Sequence, residues 1–391
     1  MTGEPKARPA LFTPMTLRGA VARNRIVISP MCQYSASENG MPNEWHHVHL
    51  SQFALGGAGI VIAEASAVEP RGRITYGDTG LWNEAQAAAF KPTVGFIKRH
   101  GALPGIQIAH AGRKASVQRP WHGNGPMDTT DVARGEPAWQ VVAPSPLPVD
   151  DGWLVPHELT LDEIAAIQQA FVRSAKLALS AGFEVLEIHQ AHGYLGTSFL
   201  SPVSNKRNDE YGGDRAGRMR FTLETVRAVR AAWPAGKPLF VRVSSVDGAP
   251  EGWGIEDSVV LAKALGELGV DVVDCSSGGI SGTVTAARVR RTPGFQVPFA
   301  SQIRHDAGIA TMAVGLILDG PQAEAVLAEG HADLIAIGRQ ALYDPYWAHH
   351  AAHQLGMTGF ADWPEQYGWW LERRNVQLSA EDAARAVARA A

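Results

Sequence analysis

Short apolar runs rich in Val and Ile recur along the chain, and stretches with helical spacing separate them. The runs fall near residues 25–28, 59–63, 105–109, 185–188, 239–243, 270–274, 311–314 and 334–337, and each predicts a strand. Their apolarity reads as continuous rather than alternating, which marks strands buried on both faces, as in a parallel sheet. Helix signals lie between them. Thr160-Leu161-Asp162-Glu163 forms a capping box ahead of Ile164, Ile167, Phe171 and Ala175, and Gly182 ends that helix before the fourth strand. Residues 321–329 carry Ala325, Val326 and Leu327 between the last two strands. Eight strand–helix units without a composition break predict an α/β protein, a single (β/α)8 TIM barrel over about residues 11–350 of one domain spanning 1–391. A doubly wound sheet would bring a GxGxxG turn after an early strand; "GGAGIV" at residues 56–61 precedes its strand instead.

Two segments stand outside the repeat. Residues 114–158, after the third strand, hold many Pro, Gly, Asp and Trp and predict a lid or binding loop. Residues 351–391 form an extension, aromatic in "WPEQYGWW" (363–370) and then a polar Ala-rich helix. Clustered aromatics of this kind seal a barrel, meet a partner or line a pocket.

Composition narrows the function. A net charge of −4 over 391 residues, with no Lys/Arg block, excludes nucleic acid as the main partner. Two cysteines, Cys32 and Cys275, cannot make a disulfide framework or a four-thiolate iron–sulfur cluster. No signal-peptide run opens the sequence and no stretch of 18 apolar residues occurs, so a cytoplasmic protein with no membrane partner is expected.

In such a barrel the strands' carboxyl ends share one face, where the active site lies. Strand one ends in Ser29-Pro30-Met31-Cys32-Gln33-Tyr34, strand two in Glu64-Ala65, and strand three in "HAGRK" (110–114) with Gln107 inside it. Strand four gives His189, His192 and Tyr194; strand five carries Arg242; strand six ends in Ser276-Ser277-Gly278-Gly279. Gly315 and Gly338-Arg339 follow strands seven and eight, where open backbone N–H groups and a guanidinium suit a phosphate. Arg242 within "LFVRVS" is costly to bury unpaired. It predicts an ion pair with a strand-end acid such as Glu64, or a fixed charge beside a ligand that becomes anionic, such as a reduced flavin. His189 and His192 converge only if the chain turns between them, which Gly193 permits. Two neutral imidazoles on one oxygen polarise a carbonyl, each such donor contributing about 2.7–4 kcal/mol to the transition state. Tyr194 is near enough to supply a proton. Metal binding by HxxH or by "EWHHVH" (44–49) is the weaker reading, because no further Cys/His cluster completes a tetrahedron. Cys32 is open to three uses: a small buried hydrophobe, a nucleophile, or a thiol packed on a redox ring.

"SPMCQYSA", "EASAVEPRGR", "QIAHAGRKA", "EIHQAHGYLGTSFLSPVSNKRNDEYGG", "FVRVS", "VGLI" and "IGRQALYDPYW" together resemble the old yellow enzyme family, and within it the thermophilic-like branch that includes the xenobiotic reductases. The resemblance covers about residues 11–370. It implies an FMN barrel that takes reducing equivalents from NADPH or NADH and reduces the C=C bond of α,β-unsaturated carbonyl or nitro compounds, nitroester reduction being the alternative. By resemblance, Ser29, Pro30, Met31, Cys32, Ala65, Gln107, Arg242, Gly315, Gly338 and Arg339 bind FMN, with Cys32 tuning it and Lys114 near it. His189 and His192 hold the substrate oxygen, Tyr34 and Trp369 line its pocket, and Tyr194 donates the proton. Trp369 stands where some relatives reach into a neighbouring subunit, and a homodimer or homotetramer is expected. One departure is Gly217 before Arg218 in "DRAGRMRF", which touches a structural loop. Related dienoyl-CoA and amine dehydrogenases need an iron–sulfur segment, which two cysteines do not supply. A flavin carrier would not need Tyr194 and both histidines.

Overall fold

A computed structural model describes residues 7–281 and 289–390, with side chains described to residue 382. Each apolar run forms a strand: β1 (Ile26–Ile28), β2 (Ile60–Ala67), β3 (Leu103–Ala109), β4 (Val185–Gln190), β5 (Leu239–Ser244), β6 (Val272–Ser276), β7 (Ala310–Val314) and β8 (Leu334–Ile337). They pair in parallel in chain order and β8 returns to β1, closing the barrel. The sheath is α1 (Glu44–Leu55), α2 (Glu84–Arg99), α3 (Leu161–Ala181), α4 (Arg215–Ala232), α5 (Ile255–Glu267), α6 (Val297–Ala307), α7 (Gly320–Ala328) and α8 (Trp347–Gln354). Thr160 caps α3 by accepting from the Glu163 N–H, and Gly182 ends it in the left-handed conformation, φ 94°. The architecture is the predicted (β/α)8 barrel.

Although every strand is buried on both faces, the two faces differ. Leu239, Val241 and Val243 of β5 join the core beneath the helices, whereas Phe240 joins a luminal cluster with Val185, Val272, Met312 and Leu334. Side chains alternate along a strand, so Arg242 and Ser244 share the luminal face with Phe240. The same alternation sends Glu187 and His189 of β4, and Asp274 and Ser276 of β6, into the lumen. Polar residues therefore sit above an apolar floor, toward the carboxyl ends. That floor is closed by a hairpin the apolar pattern did not predict, Met15–Leu17 paired antiparallel with Ala20–Ala22; Leu17 and Ala22 pack onto the luminal cluster.

The segment after β3 is not wholly irregular. It holds a two-residue ladder, Val142–Ala143 beside His157–Glu158, and contributes Val117, Val141, Trp139 and Trp153 to an apolar cluster around Tyr194. Arg113 ties this lid down by donating to the carbonyls of Leu147, Pro148 and Ile280. The chain continues into α9 (Glu365–Ala390). At Gly217 a Cβ would collide with the Gly212 carbonyl, which accounts for glycine at that departure.

Candidate active site

Register brings the polar luminal residues together. His189, Arg242 and Asp274 are direct neighbours across β4, β5 and β6, and Gln107 faces Glu187 across β3 and β4. Arg242 Nε lies 2.9 Å from Asp274 Oδ2, and its Nη2 donates to Ser276 Oγ at 3.2 Å. The acid that meets Arg242 is thus Asp274 on the adjacent strand, not Glu64. Glu64 sits on β2, three strands away, and instead takes His46 Nε2 at 3.3 Å and the Gln33 N–H. Gln107 Nε2 donates to Glu187 Oε1 at 2.8 Å. Burial raises the carboxyl pKa of both Glu187 and Asp274; the two acids repel each other and Arg242 offsets part of the rise.

The chain turns between the histidines because His192 itself adopts φ 62° and Gly193 φ 77°. Ser244 Oγ accepts the His192 N–H at 2.8 Å and holds that turn. The result places His192 Nδ1 3.3 Å from His189 Nε2, the rings nearly perpendicular. The Ala191 N–H donates to His189 Nδ1, so the proton of His189 sits on Nε2. Ser276 Oγ accepts from Arg242 and lies 2.8 Å from His192 Nε2, leaving its O–H free to donate there. With Ser276 as donor, His192 carries its proton on Nδ1; with Ser276 as acceptor, His192 Nδ1 accepts the His189 Nε2–H. Burial, then the charge of Arg242, pushes both imidazoles well below their ordinary pKa, so they act as neutral donors.

Tyr194 packs edge-on to His189 at 5.0 Å between ring centres and is 5 % exposed. Burial raises its pKa well above the ordinary 10, keeping the phenol protonated. Cys32 and Tyr34 join the same cluster; burial also raises the Cys32 thiol, which disfavours a thiolate nucleophile. Lys114 is buried, donates to the carbonyls of His192 and Gly279 at 2.9 and 2.8 Å, and lies 5.6 Å from the Tyr194 ring centre.

A cavity of about 560 Å³ opens at this face. Ser29, Pro30, Met31, Arg242, Gly315, Gly338 and Arg339 line it, together with His192 and Lys114. Cys32, Ala65, Gln107, Tyr34, His189 and Tyr194 are not on its wall; Ala65 and Tyr194 line a second, much smaller pocket, and His189 touches the wall residue His192. Trp369 is not brought to it: half exposed on α9, it stacks under Arg373, whose guanidinium carbon lies 3.3 Å from the ring centre. Glu187 and Asp274 escaped the sequence reading, although acids at alternate positions of "VLEIH" and "VVDCS" mark them. The "EWHHVH" histidines disperse: His46 goes to Asn43 and Glu64, His47 to Thr93, and His49 packs on Phe53.

Glycine-lined walls with three guanidiniums, those of Arg242, Arg291 and Arg339, at the carboxyl ends of a closed barrel define a barrel enzyme that binds an anionic, phosphate-bearing cofactor. The sequence profile of the NADH:flavin oxidoreductase / NADH oxidase family matches residues 10–357. An NADPH dehydrogenase of Geobacillus sp. (strain WCH70) is 44% identical over 360 residues, covering 92% of this chain and 98% of the relative. The old yellow enzyme homologue from Zymomonas mobilis (NCR) superposes with a TM-score of 0.72 at 25% identity, over 88% of this chain and 93% of that one. Morphinone reductase in complex with tetrahydroNAD gives 0.70 at 25% identity, over 90% and 92%. The chain belongs to the NADH:flavin oxidoreductase / NADH oxidase family, the old yellow enzyme family, and is an FMN-dependent NAD(P)H oxidoreductase. The cavity fits that cofactor. Ser29 Oγ is buried on its wall with no hydrogen-bond partner among the described residues. At Gly338 a Cβ would project into space, meeting nothing nearer than Met31 and Ser29 at 3.9 Å.

Proposed function

We propose that this oxidoreductase reduces the C=C bond of α,β-unsaturated carbonyl or nitro compounds. The observation that supports this is the pair of neutral imidazoles whose facing nitrogens, His189 Nε2 and His192 Nδ1, lie 3.3 Å apart beside Arg242. Donors preorganised in a site closed to water stabilise the negative charge that develops on an enone's oxygen as its β carbon is reduced. Ser29, Pro30, Met31, Arg242, Gly315, Gly338 and Arg339 would hold FMN, with Cys32, Ala65 and Gln107 against it. When bound, FMN supplies the two-electron step, taking a hydride from NAD(P)H and giving one to the β carbon. His189 and His192 bind and polarise the oxygen. Tyr194 keeps its proton through burial and delivers it to the α carbon, while Tyr34 and the lid residues Trp139 and Trp153 exclude water. The enzyme acts as a homodimer or homotetramer, with Trp369 offered to a neighbouring copy's pocket.

Anaerobic assays with cyclohexenone, a maleimide and a nitroalkene, using NADPH and NADH in turn, test the reading. Tyr194→Phe is expected to slow the half-reaction with enone by about 10²–10⁴-fold while the half-reaction with NADPH stays near its wild-type rate. Equal slowing of both halves in stopped flow, or no turnover of any of the three, would refute it.

A further inference from the structure

We propose that Arg290 and Arg291, on the strap that leads from β6 to α6, grip the 2′-phosphate of NADPH and make this enzyme select NADPH over NADH. The inference rests on the NAD(P)H oxidoreductase class alone and does not depend on which acceptor is reduced.

The strap runs from Val289 to Gln296 and is pinned at both ends. At one end Val289 packs over Gly278, where an added Cβ would lie 3.8 Å from Val289 Cγ2. At the other, the Gly294 N–H donates to the Gly315 carbonyl and Gln296 Nε2 to the Val314 carbonyl, each at 2.9 Å, while Ser277 Oγ donates to Gln296 Oε1 at 2.7 Å. Val289, Arg291, Phe295 and Gln296 line the cavity. Arg290 and Arg291 stand between the anchors, and both are exposed. Among the described residues neither guanidinium has a hydrogen-bond or ion-pair partner. Burial and Arg242 lower the His192 pKa most, and the charge of Arg291 adds to them, so Arg291 stands within electrostatic reach of the histidine pair.

The other cations of the cavity have work of their own. Arg242 is held by Asp274 and Ser276, and Lys114 by two carbonyls. Arg339 follows Gly338 at the end of β8, and a barrel commonly seats its cofactor's phosphate on the loops after strands seven and eight. The loop after β6 therefore offers its two guanidiniums to a second phosphate. NAD(P)H is the other phosphate-bearing molecule that has to enter. Its nicotinamide must reach into the cavity to deliver hydride, so its adenosine end trails over the rim, where the strap presents the pair. NADPH differs from NADH by one phosphomonoester, which carries about −1.5 to −2 charges near pH 7. Two neighbouring guanidiniums match that charge, and each can bond a phosphate through two N–H groups. The diphosphate is common to both coenzymes and cannot discriminate between them.

Anaerobic stopped flow on the FMN-loaded enzyme gives a Kd for NADPH and for NADH, and fluorescence titration gives the Kd of FMN. Calorimetry with adenosine 2′,5′-bisphosphate and adenosine 5′-monophosphate adds a readout that needs no turnover. The wild type is expected to bind NADPH at least tenfold more tightly than NADH, and the bisphosphate more tightly than the monophosphate. Replacing both residues, Arg290→Gln with Arg291→Gln, should weaken NADPH by roughly 10–100-fold and erase both preferences. Because both side chains are exposed, the fold should tolerate the change. A wild type that does not distinguish the coenzymes would overturn the proposal. So would equal weakening of NADPH and NADH, which assigns the pair to the diphosphate, or a comparable loss of FMN affinity, which assigns it to the phosphate of FMN.

Discussion

Lys114 is a long cation buried with no carboxylate in contact among the described residues. Its ammonium is held by the carbonyls of His192 and Gly279, with Arg113 adjacent. Burial, then the charge of Arg113, brings its pKa from the ordinary 10.5 down to about 7. In the unfolded chain the amine keeps its ordinary value. Between those two values the unfolded chain binds more protons than the fold, so this group makes stability rise with pH across that window. Below it both states are protonated and the contribution is flat. Lys114→Met removes the titration. Urea unfolding at intervals from about pH 7 to about pH 10 should show wild-type stability gaining on the variant as pH rises, each pKa unit corresponding to about 1.4 kcal/mol. Parallel curves would show that Lys114 keeps an ordinary pKa in the fold. The same residue shows where sequence reading stops: a lysine in "HAGRK" is legible as near the cofactor, but its burial depends on Gly279, 165 positions away.

At the scale of elements, the eight barrel strands were legible to within a few residues, because each is a compact Val/Ile run closed by turn residues. The capping box of α3 was legible for the same local reason. The hairpin at Met15–Leu17 and the ladder at Val142–Ala143 were not, since segments of two or three residues carry no period to read. Within the site, His189, His192, Tyr194 and Arg242 could be found because polar rings and a guanidinium at strand ends are conspicuous. Glu187 and Asp274 were hidden by treating the strands as uniformly apolar, when alternate positions face an interior that turns polar toward the top. Position along a strand decides function here, and the β4 turn shows how sharply. Gly193 holds φ 77°, and a Cβ there would collide with the Gly279 carbonyl oxygen. Gly193→Ala should therefore push the loop after β6 away and separate the imidazoles. Titration with a phenol, whose oxyanion mimics an enolate, should show at least tenfold weaker binding, about 1.4 kcal/mol, with FMN still bound. Unchanged phenol affinity would mean that the histidine pair is not held by this turn.

Across the whole molecule, chemistry and stability are separated along the barrel axis. The site occupies the carboxyl ends of the strands, and the amino ends are closed by the hairpin. Leu17 is 5 % exposed and packs onto the luminal cluster. Arg18 at the hairpin tip meets Asp271 Oδ1 at 2.6 Å and donates to the carbonyls of Gly269 and Ala235, fastening the plug to the loops that lead into β5 and β6. Replacing a buried leucine by alanine typically costs about 2–5 kcal/mol, the larger values where the surroundings cannot collapse into the space. A barrel lumen is held open by eight hydrogen-bonded strands, so little collapse is available. Leu17→Ala should accordingly fall in that range in urea unfolding. FMN content and the rates of both half-reactions should remain at wild-type values, because the polar layer of Glu187, Arg242 and Asp274 rests on Phe240, Val185 and Val272 rather than on Leu17 itself. If the variant lost FMN affinity or turnover while its unfolding midpoint stayed put, the two ends of the barrel would be coupled, and the apolar floor would be part of the site rather than its foundation.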